Sequence, residues 1–153
     1  MSATLHIVCP TCQAINRVRE DQLASAPSCG RCKLALFLGK PTDLDATGFE
    51  RHLKRNELPL LVDFWAPWCG PCRAMAPAYE QAAKLLEPRF RIAKVDTERA
   101  QEVSARLGIR SIPTLALFSG GREVARQPGA LTKPEHIAQW ARTHLPFRQP
   151  AHG

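Results

Sequence analysis

The sequence predicts an α/β domain with a central mixed sheet, preceded by a small cysteine-rich module. From about residue 40 onward, helical and strand patterns alternate, and near-continuous apolar runs such as LPLLVDFWA are typical of strands buried on both faces. Before that point the chain has four cysteines but little periodic apolar pattern. All six cysteines fall in Cys-x-x-Cys pairs, which favours metal binding or redox chemistry.

The predicted elements of the α/β domain follow the order helix, strand, helix, strand, helix, strand, strand, helix. The first three are DATGFERHLKRN, LPLLVDFWA and CGPCRAMAPAYEQAAKLLEP, and the long helix tolerates Pro71 in its first turn, where a missing N–H costs little. FRIAKVDTE and RAQEVSARLG come next, the latter closed by Gly108. PTLALFSGGREVARQPGA contains two strands joined at Gly120 and Gly121, and TKPEHIAQWARTHL is a terminal helix. Parallel crossovers with one hairpin predict a mixed sheet.

The predicted domain boundaries place the four-cysteine module at residues 1–38, the α/β domain at 39–146 and a flexible C-terminal tail at 147–153. GKPTDLD is the expected linker between the first two. A segment shorter than roughly 40 residues buries too little core to fold alone, so we expect its cysteines to cross-link it.

Composition and charge exclude several classes of protein. The formal charge is +7, but the 21 basic and 14 acidic residues are scattered without a run, which indicates solvated surface and no specific nucleic-acid binding. The N-terminus MSATLHIVCPTC has no basic region, and the longest apolar stretch is broken by Pro59 and Asp63, far short of the roughly 20 residues of a membrane helix. We therefore expect a cytoplasmic protein without a membrane segment. Paired cysteines in a reducing cytosol favour metal ligands or redox catalysts.

The first two cysteine pairs, CPTC and CGRC, predict a structural zinc site. They are separated by 16 residues, inside the range typical of two Cys-x-x-Cys turns that share one tetrahedral ion. The alternatives are two local disulfides, four free thiols, or iron in place of zinc. His6 is not assigned as a ligand, because the four-cysteine set is already complete. The predicted zinc ligands are Cys9, Cys12, Cys29 and Cys32.

The third pair, Cys69 and Cys72, lies where a predicted buried strand is followed by a helix. The first sulfur would face unsatisfied N–H groups at the helix N-terminus, which favour the thiolate. Cys69 is thus the predicted exposed, low-pKa nucleophile that attacks a substrate disulfide, and Cys72 is placed to resolve the mixed disulfide. Gly70 would let a substrate chain approach closely, and Pro71 would stiffen the turn. The alternatives are half of a zinc site completed elsewhere, or a static disulfide.

The run VDFWAPWCGPC, with SIPT at 111–114 and the later GGREVARQPGA, resembles the thioredoxin family over about residues 40–146. With its four-cysteine module, the chain is most similar to the zinc-containing bacterial branch of that family. The resemblance implies the thioredoxin fold, with the site at the end of a strand. It also implies a reductase of protein disulfides that is recycled by thioredoxin reductase using NADPH. The Gly-Pro pair between the cysteines is that of reducing members, for which a potential of roughly −270 mV is expected.

Two further residues are assigned to catalysis. Asp63 interrupts an apolar strand on the same alternating face as Leu61 and Trp65, so we expect it to be buried with a raised pKa. Like the matching family residue, it would accept the proton of Cys72, directly or through water. Lys94 matches the lysine that pairs with that aspartate. The alternatives are a buried aspartate satisfied by local hydrogen bonds and a strand lysine that reaches solvent.

The resemblance also implies a substrate-binding surface. An X-Pro bond is cis only about 5% of the time, but the family residue that matches Pro113 is cis and exposes the backbone of the preceding residue for strand-like pairing. Trp65 is expected to pack beneath the site and Trp68 to contact partners. Gly108 and Gly129 match small residues of the docking surface, although turn geometry alone would explain both. The predicted substrate-binding residues are Trp68, Gly70, Pro71, Ile112, Pro113 and Gly129.

Competing functions remain open at this point. The protein could instead be a zinc-ribbon interaction module or a redox-switched chaperone, with the second domain as a docking platform. A zinc ribbon that binds nucleic acid is a third possibility, which predicts steeply salt-dependent affinity. Pro67 departs from the acidic or polar residue common in the family and leaves the tuning of the potential undefined. We expect a monomer whose partners are thioredoxin reductase and disulfide-containing cytosolic proteins, although no sequence feature bears on the oligomeric state.

Overall fold

The computed structural model describes residues 3–145, and its main body is a five-stranded sheet. Its strands are β3 (Thr42–Asp43), β4 (Leu60–Trp65), β5 (Arg91–Asp96), β6 (Thr114–Ser119) and β7 (Arg122–Pro128). Their order across the sheet is β3-β5-β4-β6-β7. The strands β3, β5 and β4 run parallel, whereas β6 and β7 are antiparallel to their neighbours. The predicted mixed sheet is therefore confirmed. The predicted tail at 147–153 lies outside the described residues.

Four helices cover the two faces of this sheet. They are α1 (Ala46–Arg55), α2 (Gly70–Leu86), α3 (Gln101–Leu107) and α4 (Pro134–Thr143). Buried residues of α2 and α4 pack against one face, and buried residues of α1 and α3 pack against the other. None of the helices between residues 3 and 145 has the length and apolar content needed to cross a bilayer.

Strand β4 lies at the centre of the sheet between β5 and β6. Its sequence, LLVDFW, is buried at five of six positions because both faces are covered by helices. Leu61 faces α2 and α4, whereas Val62 and Phe64 face α1 and α3. Asp63 shares the face of Leu61, since side chains alternate along a strand. Strand β4 ends at Trp65, and α2 begins shortly afterwards at Gly70.

The N-terminal segment folds as a separate hairpin with a small core. Strand β1 (Thr4–Val8) pairs antiparallel with β2 (Ile15–Arg19), and a 3-10 helix (Glu20–Ser25) follows. The core of this module consists of the buried residues Ile7, Val18, Leu23 and Leu36 together with Cys9 and Cys29. It also includes Leu58, which precedes β4, so the module shares its core with the second domain.

Polar contacts also join the module to the domain. The backbone N–H of Glu57 donates to the carbonyl of His6 at 2.8 Å, and the N–H of His6 donates to the Glu57 carboxylate at 2.7 Å. Arg91, the first residue of β5, donates to the carbonyl of Val8 at 3.0 Å. The module therefore folds back on the domain.

Two elements were not expected from the sequence. The linker GKPTDLD contains β3, which pairs with β5 at the sheet edge, and the module contains a hairpin where little periodic pattern is present. Strand β3 has only two residues, too few to show alternation, so its pairing comes from the neighbouring strand. Positive φ angles at Gly120 (62°) and Gly121 (80°) confirm the predicted hairpin turn, because a tight turn of this type requires them.

Candidate active site and metal centre

Cys69 and Cys72 lie at the junction of β4 and α2 and form a disulfide in this structure. Cys69 is the N-cap residue of α2, and its Sγ accepts a hydrogen bond from the backbone N–H of Cys72 at 3.2 Å. Pro71 occupies the first turn, as predicted. The Cys69 sulfur therefore faces the unpaired N–H groups of the helix, where negative charge is stabilised.

The exposure of this pair differs from the expectation. Cys69 is 4% exposed and Cys72 is 2% exposed, so both are buried in the disulfide form. The residues that reach solvent are their neighbours Gly70 and Pro71. A Cβ added to Gly70 would meet no atom within 4 Å, so the space above the disulfide is open on this side.

A loop from another part of the chain lies beside the disulfide. The Ile112–Pro113 peptide bond is cis, and the carbonyl oxygen of Ile112 lies 3.7 Å from the Cys69 sulfur. The backbone N–H of Gly129 donates to the Pro113 carbonyl at 2.9 Å, and Gly129 has a φ of 93°, where a side chain would be strained. The structure thus brings Ile112, Pro113 and Gly129 together with the disulfide.

The two tryptophans occupy different environments. Trp65 is half-buried and packs with Ile112 and the two cysteines in one apolar cluster. Trp68 is 64% exposed, and its indole N–H donates to the carboxylate of Glu98. The Glu98 contact had no signal in the sequence, because it joins residues far apart in the chain.

Asp63 is buried beneath the site, with 1% of its surface exposed. Burial raises its pKa to about 7, and the opposing charge of Lys94 limits the rise. Within residues 3–145, its Oδ1 atom has no hydrogen-bond partner. The alternative of an aspartate fully satisfied by local hydrogen bonds is therefore not what the structure shows at this atom.

Lys94 lies directly opposite Asp63 in the register of β4 and β5. Its ammonium group lies 4.2 Å from the ring centroid of Trp65, a cation–π contact. No ion pair within 4.0 Å joins Lys94 to Asp63 among the described residues, so their interaction is through space. Lys94 and Trp65 line a cleft of about 620 Å³, to which the module contributes Gln13.

The four remaining cysteines converge in the N-terminal module. Their sulfur atoms all lie within 4.8 Å of one another, with Cys9 and Cys32 at 3.7 Å and Cys12 and Cys29 at 3.6 Å. Four sulfurs at about 2.3 Å from one tetrahedral zinc are about 3.8 Å apart, so the set fits this ion.

Polar groups around these sulfurs also suit thiolates. Backbone N–H groups of Thr11 and Arg31 donate to Cys9 and Cys29 at 3.3 Å each, as expected for two metal-binding turns. The side-chain amide of Asn16 donates to the Cys29 sulfur at 3.4 Å. Sequence reasoning missed Asn16, since an asparagine in a short strand gives no signal of its own.

Comparison with known protein families identifies both parts of the chain. A family model described as Thioredoxin matches residues 40–143. A second one, described as "Thioredoxin 2, N-terminal" and named for a zinc ribbon, matches residues 8–33.

Individual relatives agree with this division. The chain is 45% identical to Thioredoxin C-3 of Corynebacterium nephridii over 94% of its own length and 97% of that protein. It is 42% identical to Thioredoxin 1 of Nostoc sp. over 63% of this chain and 90% of that protein. Among solved structures, a thioredoxin mutant from Halobacterium salinarum matches with a TM-score of 0.63 and 26% identity, covering 72% of this chain and 96% of that one.

The burial of Asp63 predicts a specific dependence of stability on pH. Because its folded pKa of about 7 lies above its usual value of 3.8, the native state binds more protons than the unfolded state between these limits. Stability should therefore fall as pH rises from about 4 to about 7, by at most about 4 kcal/mol from this residue. Asp63→Asn should be about 2–4 kcal/mol more stable than the parent at pH 8 and differ little at pH 4, as measured by urea unfolding.

Asp43→Asn provides the matched control, because it makes the same substitution at an exposed strand residue. If the free energies of unfolding of the parent and of Asp63→Asn change in parallel from pH 4 to pH 8, the pKa of Asp63 is not raised by folding.

Proposed function

Because the chain belongs to the thioredoxin family, whose members are thiol–disulfide oxidoreductases, we propose that it reduces disulfides in other proteins through Cys69 and Cys72. The observation that supports this most strongly is the position of the Cys69–Cys72 pair, at the N-terminus of α2 and beside the Ile112–Pro113 loop. A static disulfide would need neither the helix terminus nor an adjacent open surface.

The proposed reaction is a two-step exchange. In the reduced protein, the Cys69 thiolate attacks one sulfur of a substrate disulfide, and the other substrate sulfur leaves as a thiolate and takes a proton. Cys72 then loses its proton and attacks the Cys69 sulfur, which breaks the mixed disulfide and releases the second substrate thiol. The substrate gains two electrons and two protons, and Cys69–Cys72 is left as the disulfide seen in this structure.

Asp63 is the proposed acceptor of the Cys72 proton. It lies in the strand that leads into the site, it is buried, and its pKa of about 7 lets it exchange a proton near neutral pH. No direct hydrogen bond to Cys72 is needed if one water molecule relays the proton. Lys94, opposite Asp63 on β5, favours the ionised carboxylate, which is the form of Asp63 that can accept the proton.

Substrate binding is assigned to the surface around the disulfide. We propose that the backbone of Ile112 pairs with an extended segment of substrate, because this residue lies beside the Cys69 sulfur and only two residues before the start of β6. Gly70, Pro71 and Gly129 leave the approach free of bulky side chains. The exposed indole of Trp68 provides an apolar contact at the rim.

Recycling of the oxidised form is proposed to depend on thioredoxin reductase and NADPH, as is general for this family. The Gly-Pro pair between the cysteines favours a reducing potential of roughly −270 mV. A reducing compartment such as the cytoplasm, and a monomeric state, remain predictions from the sequence.

We further propose that the N-terminal module holds one structural zinc ion through Cys9, Cys12, Cys29 and Cys32. The zinc-ribbon match and the convergence of the four sulfurs support this. Bound there, the ion would cross-link two turns of a module that has only a small core of its own. It would have no open coordination position and no part in the disulfide exchange.

Replacement of Cys72 by serine tests the assigned roles. In the Cys72→Ser variant, Cys69 should still attack substrate disulfides, but the mixed disulfide should not be resolved. Covalent adducts with substrate proteins should therefore accumulate, and turnover of a protein disulfide such as that of insulin should fall at least 100-fold. The adducts would be counted on non-reducing gels and opened by dithiothreitol. Cys69→Ser, the matched control, should form none.

Normal turnover by the Cys72→Ser variant would contradict the division of roles. If Cys69→Ser also left the activity of the protein in a cell unaffected, the alternative function would be favoured. In that alternative the zinc ribbon is the functional part, and the second domain serves only for docking or chaperone activity.

Native mass spectrometry tests the zinc assignment. The purified protein should contain one zinc ion and a single disulfide that opens with mild reductant, and Cys29→Ser should lower the zinc content while leaving that disulfide intact. A protein with no zinc and three reducible disulfides would show that the N-terminal cysteines are not a structural metal site.

A further inference from the structure

Arg91 is a buried charge whose side chain leaves the catalytic sheet and enters the N-terminal module. It is the first residue of β5, and none of its surface is exposed. Its Nη2 atom donates to the carbonyl of Val8 at 3.0 Å, and Val8 directly precedes the proposed zinc ligand Cys9. The ring of Phe37, also from the module, lies 4.9 Å from the guanidinium carbon.

The guanidinium has fewer partners than its burial requires. Its Nη1 atom lies 3.6 Å from the Glu87 carboxylate, whose side chain is only 5% exposed. Within the described part of the chain, Nε and Nη1 have no hydrogen-bond partner. The other oxygen of Glu87 accepts the N–H of Gly39 at 2.8 Å, where the module joins the domain. Arg91 and Glu87 thus connect β5 and the end of α2 to the module.

A buried cation of this kind needs a compensating negative charge nearby. Four thiolates around one Zn²⁺ have a net charge of about −2, and this cluster lies next to the Val8 carbonyl that Arg91 binds. Among the described residues, Glu87 is the carboxylate within 4.0 Å of the Arg91 guanidinium, at 3.6 Å.

We propose that Arg91 is a positioning residue of the zinc centre, which holds the module on the catalytic sheet and balances the charge of the zinc–thiolate cluster. Zinc binding and docking of the module then support each other, because any effect of docking on zinc affinity is matched by an equal effect of zinc on docking. This inference rests on the zinc site proposed above.

A purely structural role for Arg91 makes a different prediction. If Arg91 serves stability alone, replacement of both Arg91 and Glu87 by neutral residues is often neutral or stabilising, whereas removal of Arg91 alone leaves Glu87 as an uncompensated buried charge, and zinc affinity is not directly affected in either case. Zinc affinity, measured apart from stability, therefore separates the two roles.

The experiment compares zinc binding by the full-length parent, Arg91→Met, Arg91→Lys and Arg89→Met. Arg89 is exposed and only two residues away, so Arg89→Met is a matched loss of one positive charge. Each reduced protein is titrated with a chromogenic chelator that competes for zinc, and reduction of insulin is assayed to confirm that the catalytic domain is folded.

Arg91→Met should weaken zinc binding by about tenfold to 100-fold, the usual effect of losing an outer-shell partner. Arg91→Lys keeps the charge and should recover part of this loss, and Arg89→Met should bind zinc like the parent. Insulin reduction should stay within about twofold in all four proteins. Equal zinc affinity in Arg91→Met and the parent would overturn the proposal.

A second comparison covers the case in which Arg91→Met does not fold because Glu87 is left unpaired. Arg91→Met combined with Glu87→Gln removes both charges and should show the same loss of zinc affinity. In the parent, hydrogen exchange of the β5 amides should become slower when zinc is added, and unchanged exchange would contradict the coupling. A parent that binds no zinc would overturn the metal site itself, an outcome distinct from a zinc-binding parent with an indifferent Arg91.

Discussion

The burial of β4 on both faces fixes the position of the redox site. A central strand that is covered by helices on each side can present reactive groups only where it ends, and β4 ends four residues before Cys69. The chain then begins α2 at once, so the Cys69 sulfur becomes the acceptor at the helix N-terminus. The partial positive charge of a helix N-terminus is the kind of environment that favours a thiolate.

The same burial changes the acidity of a carboxyl group inside β4. Asp63 lies inside β4 and is shielded from water, so its ionised form is disfavoured and its pKa rises to about 7. A carboxyl group at the surface would be ionised at all times and a poor proton exchanger at neutral pH. Strand β5 supplies the counter-charge at Lys94, whose ammonium group rests on Trp65 rather than in direct contact with Asp63. Positive charge is thereby held near the carboxyl group without an ion pair.

Much of the fold follows from the sequence because its elements have strong local patterns. The two-sided burial of β4, the paired glycines of the β6–β7 turn and the Cys-x-x-Cys spacings each depend on neighbouring residues alone, and the structure agrees with them. The elements that were missed depend on distant partners. Strand β3 forms only because β5 is beside it, and Asn16 matters only because Cys29 folds onto it.

The burial of Arg91 is a further feature that depends on a distant part of the chain and is therefore not predicted from the sequence. In FRIAKVDTE it has the sequence context of a charged residue at the start of a strand, and only the docked module reveals it as buried. Strand β5 therefore contacts both parts of the chain, with Lys94 against Trp65 in the thioredoxin domain and Arg91 against Val8 in the four-cysteine module. The buried disulfide is likewise a property of the folded loops around Cys69 and not of its motif.

The most direct test of the account is the rate at which Cys69 of the reduced, full-length protein is alkylated by iodoacetamide as a function of pH, with the modified residue identified by mass spectrometry. If the N-terminus of α2 stabilises the thiolate, Cys69 should react before Cys72, and its rate should reach half its maximum at a pH clearly below the value of about 8.5 that is typical of free cysteine. A half-maximal rate at or above that value, or preferential alkylation of Cys72, would contradict the central claim.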